Sequence, residues 1–175
     1  INSELAKKYI DYVFRNLPIN NSIKPISTLP NLRNGVEIFE IDTPQTTVVF
    51  GQRGLSRNNK DYFSARIANY ILGGGGFQSR LYKEIRERNG LVYSIYSYLL
   101  PFERVGIIIG GFQTRNENVK NTIQRVRDEW TNIRVNGISK KELANAKTYF
   151  KGSFSRNLTS TISIANLLMI VQYYD

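Results

Sequence analysis

Neither histidine nor cysteine occurs anywhere in these 175 residues. Without thiols there are no disulfides and no thiolate metal sites, and a reducing or an oxidising compartment is equally tolerable. Without imidazole the usual zinc ligand sets are gone, and only an all-oxygen site remains, better suited to magnesium or calcium. Serine or cysteine nucleophiles activated by histidine are excluded by the same absence. No apolar run approaches the roughly 20 residues that cross a bilayer, so no membrane span is expected. The opening Ile1-Asn2-Ser3-Glu4 lacks a basic region followed by an apolar one and does not begin with Met, which fits a fragment of a longer polypeptide. Internal repeats and low-complexity tracts are absent too.

What is present suits one domain with a sizeable core and an appended element. Hydrophobic residues make up 41% of the chain, the share of an ordinary soluble domain, which argues against disorder as the main state. The net charge of +10 raises the question of nucleic acid. Lysine and arginine are scattered, however, and the densest stretch, Arg80 to Arg88, is interrupted by Glu84 and Glu87. That pattern reads as a solvated surface, and no nucleic-acid partner is expected.

Ser3 is placed to cap a helix carrying Leu5, Tyr9, Val13 and Leu17, which Pro18 ends. The polar stretch from Asn20 to Arg33 reads as a linker. Val36–Ile41 and Thr46–Arg53 are strand-like. Asn58 starts a helix with Phe63, Ile67, Tyr70 and Ile71 on one face, terminated by Gly73 to Gly76. A short helix, about Gln78 to Arg88, ends at the Asn89-Gly90 turn. Leu91 to Leu99 alternates as a strand, with Val92, Ser94, Tyr96 and Tyr98 on one face and Leu91, Tyr93, Ile95 and Ser97 on the other. Val105 to Phe112 pairs with it as a hairpin. Two capping boxes, Thr114 with Glu117 and Ser139 with Glu142, open two further helices, and a last apolar helix covers about Thr161 to Tyr173. The expected class is α+β, with helices packed on one face of a mixed, mostly antiparallel sheet.

Several constellations invite a functional reading. Gly73-Gly74-Gly75-Gly76 precedes a helix and offers backbone N–H groups, but it follows a helix and lacks the Lys-Ser/Thr of a phosphate loop, so a helix terminus and bend is favoured. Arg86 and Tyr93 flank the Asn89-Gly90 turn, and a helix–turn–strand corner brings two such side chains to one mouth. Arginine offers a rigid fork of donors to carbonyls, and a tyrosine hydroxyl donates to a developing oxyanion. From spacing alone a surface arginine and a strand tyrosine are the commoner explanation. Tyr93, Tyr96, Tyr98, Phe102 and Phe112 suggest a base-stacking platform, but without the basic-aromatic pattern of an RNA-binding strand. Asp61, Asp128, Glu129 and Glu142 fall at cap or solvent positions rather than forming an acid/base pair.

The stretch from Leu72 to Tyr98 resembles the C-terminal half of insulinase/pitrilysin-type zinc metallopeptidases, in the group of mitochondrial processing peptidase and its bacterial relatives. The matching pieces are Gly73 to Gly76, then Ser79-Arg80-Leu81, a short helix, and Gly90-Leu91-Val92-Tyr93-Ser94 entering a strand. The likeness covers about residues 45–170. It implies a non-catalytic half that completes a proteolytic chamber around an extended peptide substrate. The zinc and the inverted motif H-x-x-E-H would lie in a partner half, fused or separate. This chain alone would then be inactive and bind no metal. The resemblance assigns Tyr93 a donor role toward the scissile carbonyl and Arg86 a grip on a substrate carbonyl. It also assigns residues 1–18 to the closing helix of the preceding half, 19–34 to a linker and 35–175 to the inactive half, truncated at its end. A bacterial periplasmic location follows from the resemblance alone. A degenerate scaffold subunit of the same fold is the second reading, and a basic nucleic-acid-binding domain a distant third.

Overall fold

The computed structural model of the chain describes residues 2–18 and 34–174. The chain divides into two units, residues 1–33 and 34–175. The expected linker lies almost wholly in residues 19–33, outside the described residues.

In the first unit, helix α1 spans Ser3–Phe14. Its cap is Asn2, not Ser3. Asn2 has extended backbone, and its Oδ1 accepts from the Leu5 N–H at 2.9 Å. The helix closes at Phe14, before Pro18 is reached, and none of its residues is buried.

The second unit is built on three antiparallel strands, β1 (Gln45–Gly54), β2 (Ile95–Pro101) and β3 (Gly106–Arg115), in the order β1-β3-β2. The register pairs Val48 with Phe112, Phe50 with Gly110, Ile95 with Phe112 and Ser97 with Gly110. Because side chains alternate along a strand, Val48, Phe50, Phe112, Ile95 and Ser97 share one face. Val49, Gly111, Tyr96 and Tyr98 share the other.

Helices of the second unit cover the first face. They are α2 (Tyr62–Asn69), a wide π-helical turn over Tyr70–Gly74, a π-helical segment over Tyr82–Arg88, α3 (Val119–Asn136) and α4 (Lys140–Phe154). Helix α5 follows over Thr161–Tyr174 and buries no residue. The core gathers Leu72, Leu81, Ile85, Val92, Ile95, Phe112 and Val126. Trp130 of α3 meets Phe50 edge-on at 5.7 Å and donates its indole N–H to Gln52 Oε1 at 3.1 Å, anchoring the helix to β1. The expected α+β arrangement holds. No helix among the described residues is long and apolar enough to cross a membrane.

Four local expectations are corrected. Val36–Ile41 is not a strand: among the described residues no neighbour supplies a ladder, and Val36, Ile38, Phe39 and Ile41 stand exposed. The helix expected from Asn58 begins at Tyr62, because Asn59 closes a turn first, its Oδ1 accepting from the Asp61 N–H at 2.9 Å. Thr114 caps no helix. It sits in β3, and its hydroxyl donates to the Leu91 carbonyl at 2.6 Å. The Leu91 carbonyl is held by that side chain rather than by a ladder, and β2 starts at Ile95 rather than at Leu91. The Ser139–Glu142 capping box is present in both directions, with Glu142 N–H donating to Ser139 Oγ at 3.2 Å and Ser139 N–H to Glu142 Oε2 at 2.8 Å.

Candidate functional site

The corner from Gly73 to Tyr93 is assembled by local chemistry. The π-helical turn ending at Gly74 runs hard against β2. A Cβ on Gly73 would strike Ser97 Oγ and lie 2.9 Å from Leu81 Cδ1, so glycine is what permits this approach. Asn69 secures the same contact: its amide donates to the Ser97 carbonyl at 3.1 Å and accepts from Ser97 Oγ at 2.8 Å. Gly75 and Gly76 then turn the chain, with Gly76 at a φ of 55°.

Ser79, fully buried, has extended backbone and starts the next helix. Its Oγ donates to the Gly76 carbonyl at 2.7 Å, and its carbonyl accepts from the Lys83 N–H at 3.1 Å. Arg80 forks onto Glu142, Nε to Oε1 at 2.7 Å and Nη2 to Oε2 at 2.9 Å, and also reaches the Gly137 carbonyl at 3.0 Å. Leu81 is wholly buried in the core. The Ser79-Arg80-Leu81 triplet is thus a cap, a clamp to α4 and a core anchor in succession.

The helix closes at Gly90, whose φ of 62° is left-handed. The Gly90 N–H donates to the Arg86 carbonyl and the Leu91 N–H to the Ile85 carbonyl, both at 3.0 Å. Asn89 locks the end, donating to the Glu84 carbonyl at 2.6 Å and to Glu84 Oε1 at 3.1 Å. Glu84 also receives Arg88 at 2.8 Å and Arg125 at 3.1 Å.

Arg86 and Tyr93 are brought together, though not by ring-to-guanidinium contact. Arg86 Nε donates to the Tyr93 backbone carbonyl at 3.3 Å, and its guanidinium lies 5.2 Å over the Tyr82 ring. No carboxylate pairs with Arg86 among the described residues. The Tyr93 side chain is 87% exposed. Simple alternation placed Tyr93 on the face of Ile95 and Ser97, both buried, and Val92 on the face of the exposed Tyr96. The structure reverses both, because residues 91–94 lie outside the ladder and do not follow its period. Val92 turns into the core and Tyr93 outward.

Sequence reasoning missed Tyr82 and Phe77. Their rings meet edge-on at 4.8 Å, and Tyr82 lies beneath Arg86. The spacing of four between Tyr82 and Arg86 was the available signal. The aromatic platform does not assemble. Phe112 is buried on the covered face, whereas Tyr96 and Tyr98, 5.1 Å apart, lie on the open one. Among the acidic candidates, Glu142 is committed to Arg80, Asp128 accepts from Gln124 at 2.8 Å, and Asp61 makes no side-chain cap bond. Among the described residues no group of three or more acidic side chains could hold a metal ion. With no imidazole or thiolate in the sequence, the donor set does not fit zinc.

A family model described as the peptidase M16 inactive domain matches residues 1–150. An uncharacterized zinc protease of Streptomyces coelicolor is 32% identical over 131 residues, which is 75% of this chain and 28% of that protein. An uncharacterized zinc protease of Bacillus subtilis is 33% identical over 124 residues, 70% of this chain and 30% of that protein. This chain therefore spans under a third of the length of these relatives. A solved peptidase M16 inactive domain from Pseudomonas fluorescens is similar with a TM-score of 0.87 at 30% identity, covering 99% of this chain and 41% of that one. A protease from Helicobacter pylori shares the fold, with a TM-score of 0.75 at 19% identity over 96% of this chain and 42% of its own.

Proposed function

Since this chain belongs to the peptidase M16 inactive-domain family, we propose that it is the substrate-binding, non-catalytic half of a zinc-dependent metalloendopeptidase, completing the chamber around an extended peptide. Residues 1–18 then close the preceding, zinc-bearing half, residues 19–34 link the halves, and residues 35–175 form the inactive half. The chain's own donor set does not fit zinc, so no step is assigned to a metal held here. The metal and its H-x-x-E-H motif belong to the partner half, fused or separate.

The observation that carries this reading is the Arg86–Tyr93 corner. Arg86 holds the Tyr93 backbone from the helix side, while the phenol stands free in solvent. That bond holds the backbone from which the phenol projects, and a phenol so presented can donate to a scissile carbonyl oxygen as that carbon becomes tetrahedral. Arg86, stacked on Tyr82 and without a carboxylate, keeps donors to offer a substrate backbone carbonyl. The Gly73–Gly76 bend lets the corner sit close against β2. The outer edge of β1 has no partner strand among the described residues, whereas Asn69 and the π-helical turn cover β2 at Ser97, and an extended peptide can pair with an edge such as that of β1.

The test is Tyr93→Phe in the assembled two-half enzyme. The expected loss in kcat is roughly tenfold to a thousandfold, the scale of removing one oxyanion donor, with the zinc content unchanged. Wild-type turnover in that variant would remove the catalytic role and leave the scaffold reading, in which the same fold supports assembly alone.

A further inference from the structure

At the far end of β2 the second unit holds a cup of about 480 Å³, walled by α2, β2, α4 and the turn after α4. Leu99, in its lining, lies six residues beyond Tyr93, roughly 20 Å of extended chain; the cup shares Asn69 and Gly74 with the glycine bend but includes neither Arg86 nor Tyr93. Two guanidinium groups line it, Arg66 and Arg156, and no lining residue is acidic. Each is placed by an aromatic ring: Arg66 lies 5.0 Å over Phe150, and Arg156 lies 5.8 Å over Tyr149 while donating to the Tyr149 hydroxyl at 3.2 Å. Neither has a carboxylate partner among the described residues. Tyr70 stacks on Tyr149 with ring centroids 4.7 Å apart, placing two aromatic rings in the lining of the cup. Burial and the neighbouring Tyr149 push the Tyr70 phenol above its ordinary pKa, so it remains a protonated donor.

The backbone adds a second element. Ser97 turns its carbonyl outward from the sheet, where Asn69 binds it. By the two-residue alternation of an antiparallel ladder, the Leu99 N–H and C=O also point away from β3, and Leu99 lines the cup. Oriented but un-neutralised guanidinium forks beside aromatic faces suit a planar oxyanion on an apolar body. The Leu99 backbone groups that point away from β3 suit a peptide bond next to it, and the cup's volume lies within the range of small-ligand sites.

We propose that this cup binds a carboxylate carried on an aromatic or apolar body, supplied either by the C-terminal residue of a peptide or by a free small aromatic acid. Arg66 and Arg156 take the carboxylate, and Tyr70, Tyr149 and Phe150 take the body. A peptide source also pairs with Leu99. The proposal goes beyond the chamber function and uses neither Arg86 nor Tyr93, so either can fail without the other.

Titration calorimetry on the full chain decides it, with N-acetylphenylalanine, its amide, and Ala-Ala-Phe with a free or an amidated C-terminus. Saturable binding of the acids, with each amide at least about tenfold weaker, is expected from the loss of charge-assisted hydrogen bonds. A tripeptide acid bound more tightly than N-acetylphenylalanine identifies the peptide source, and equal binding identifies the free acid. Acid binding should also disappear in Arg66→Gln/Arg156→Gln, checked for folding by circular dichroism. Equal affinity for acid and amide, no binding of either acid, or undiminished acid binding in the folded double variant would each overturn the proposal. If that variant does not fold, the acid-to-amide ratio on the unaltered chain still decides.

Discussion

Glu142 and Arg80 hold each other through two short charge-assisted bonds, and Glu142 also serves the capping box of α4. The Arg80 hydrogen bond, aided by Ser139, holds the Glu142 pKa at about 2, below its ordinary 4.5. A depressed carboxyl pKa contributes stability that is fully present above about 4.5 and lost as pH falls through about 2. Both groups are partly screened, so the contribution is on the order of 2 kcal/mol. Arg80→Gln should therefore destabilise the chain by about that amount near pH 7 and flatten its acid limb between about pH 4.5 and 2, as urea midpoints across that range would show. An unchanged acid limb in Arg80→Gln would mean that the pair does not couple to folding.

Two glycines separate the demands of packing from those of chain entropy. Gly73 sits where the π-helical turn meets β2, and a methyl there meets Ser97 and Leu81. Gly73→Ala should cost about 2 kcal/mol, as overpacking does. Gly152 lies within α4 and has open space where a Cβ would go. Gly152→Ala should stabilise by about 0.5–1 kcal/mol, since helical alanine loses less chain entropy than glycine. Thermal unfolding of the two variants side by side gives the comparison, and equal shifts in one direction would refute the distinction. Much at this scale was legible in the sequence. The Ser139–Glu142 box, the Asn89-Gly90 stop, the glycine bend and the β3 hairpin partner all depend on neighbours in sequence. What was not legible depends on distant groups. Thr114 reads as a helix cap until Leu91, 23 residues away, claims its hydroxyl. Alternation puts Tyr93 on the face of Ile95 and Ser97, but alternation holds only within the ladder, and residues 91–94 lie outside it. Val36–Ile41 has a strand's composition but no strand beside it among the described residues. The carboxylate cup draws residues from three distant segments, a grouping that no local motif announces.

For the molecule as a whole, the missing imidazole sets the limits. The chain alone should cleave no peptide and should hold zinc below one equivalent in equilibrium dialysis at neutral pH. Turnover by a partner-free preparation would contradict the half-enzyme reading directly. The Gly73–Tyr93 corner is joined to α4 by Arg80 and to α3 by the Arg125–Glu84 pair. Its shape is therefore expected to persist until the whole second unit unfolds, which amide exchange at Gly90 and Leu91 would register as protection close to the global limit.

The end of the π-helical segment also governs how the chain ages. An asparagine followed by glycine converts to aspartate and isoaspartate when the glycine nitrogen attacks the side-chain amide carbon, ammonia leaves, and water opens the resulting succinimide. Here the Gly90 N–H is engaged with Arg86, and the Asn89 amide is pinned twice to Glu84. Attack requires both to let go, so native protein should keep Asn89 intact through long storage while urea-unfolded protein accumulates the one-dalton mass gain at that residue. Comparable gain in both samples would show that these bonds give no protection. Where they do protect, damage at Asn89 becomes a written record of how often the molecule has come apart.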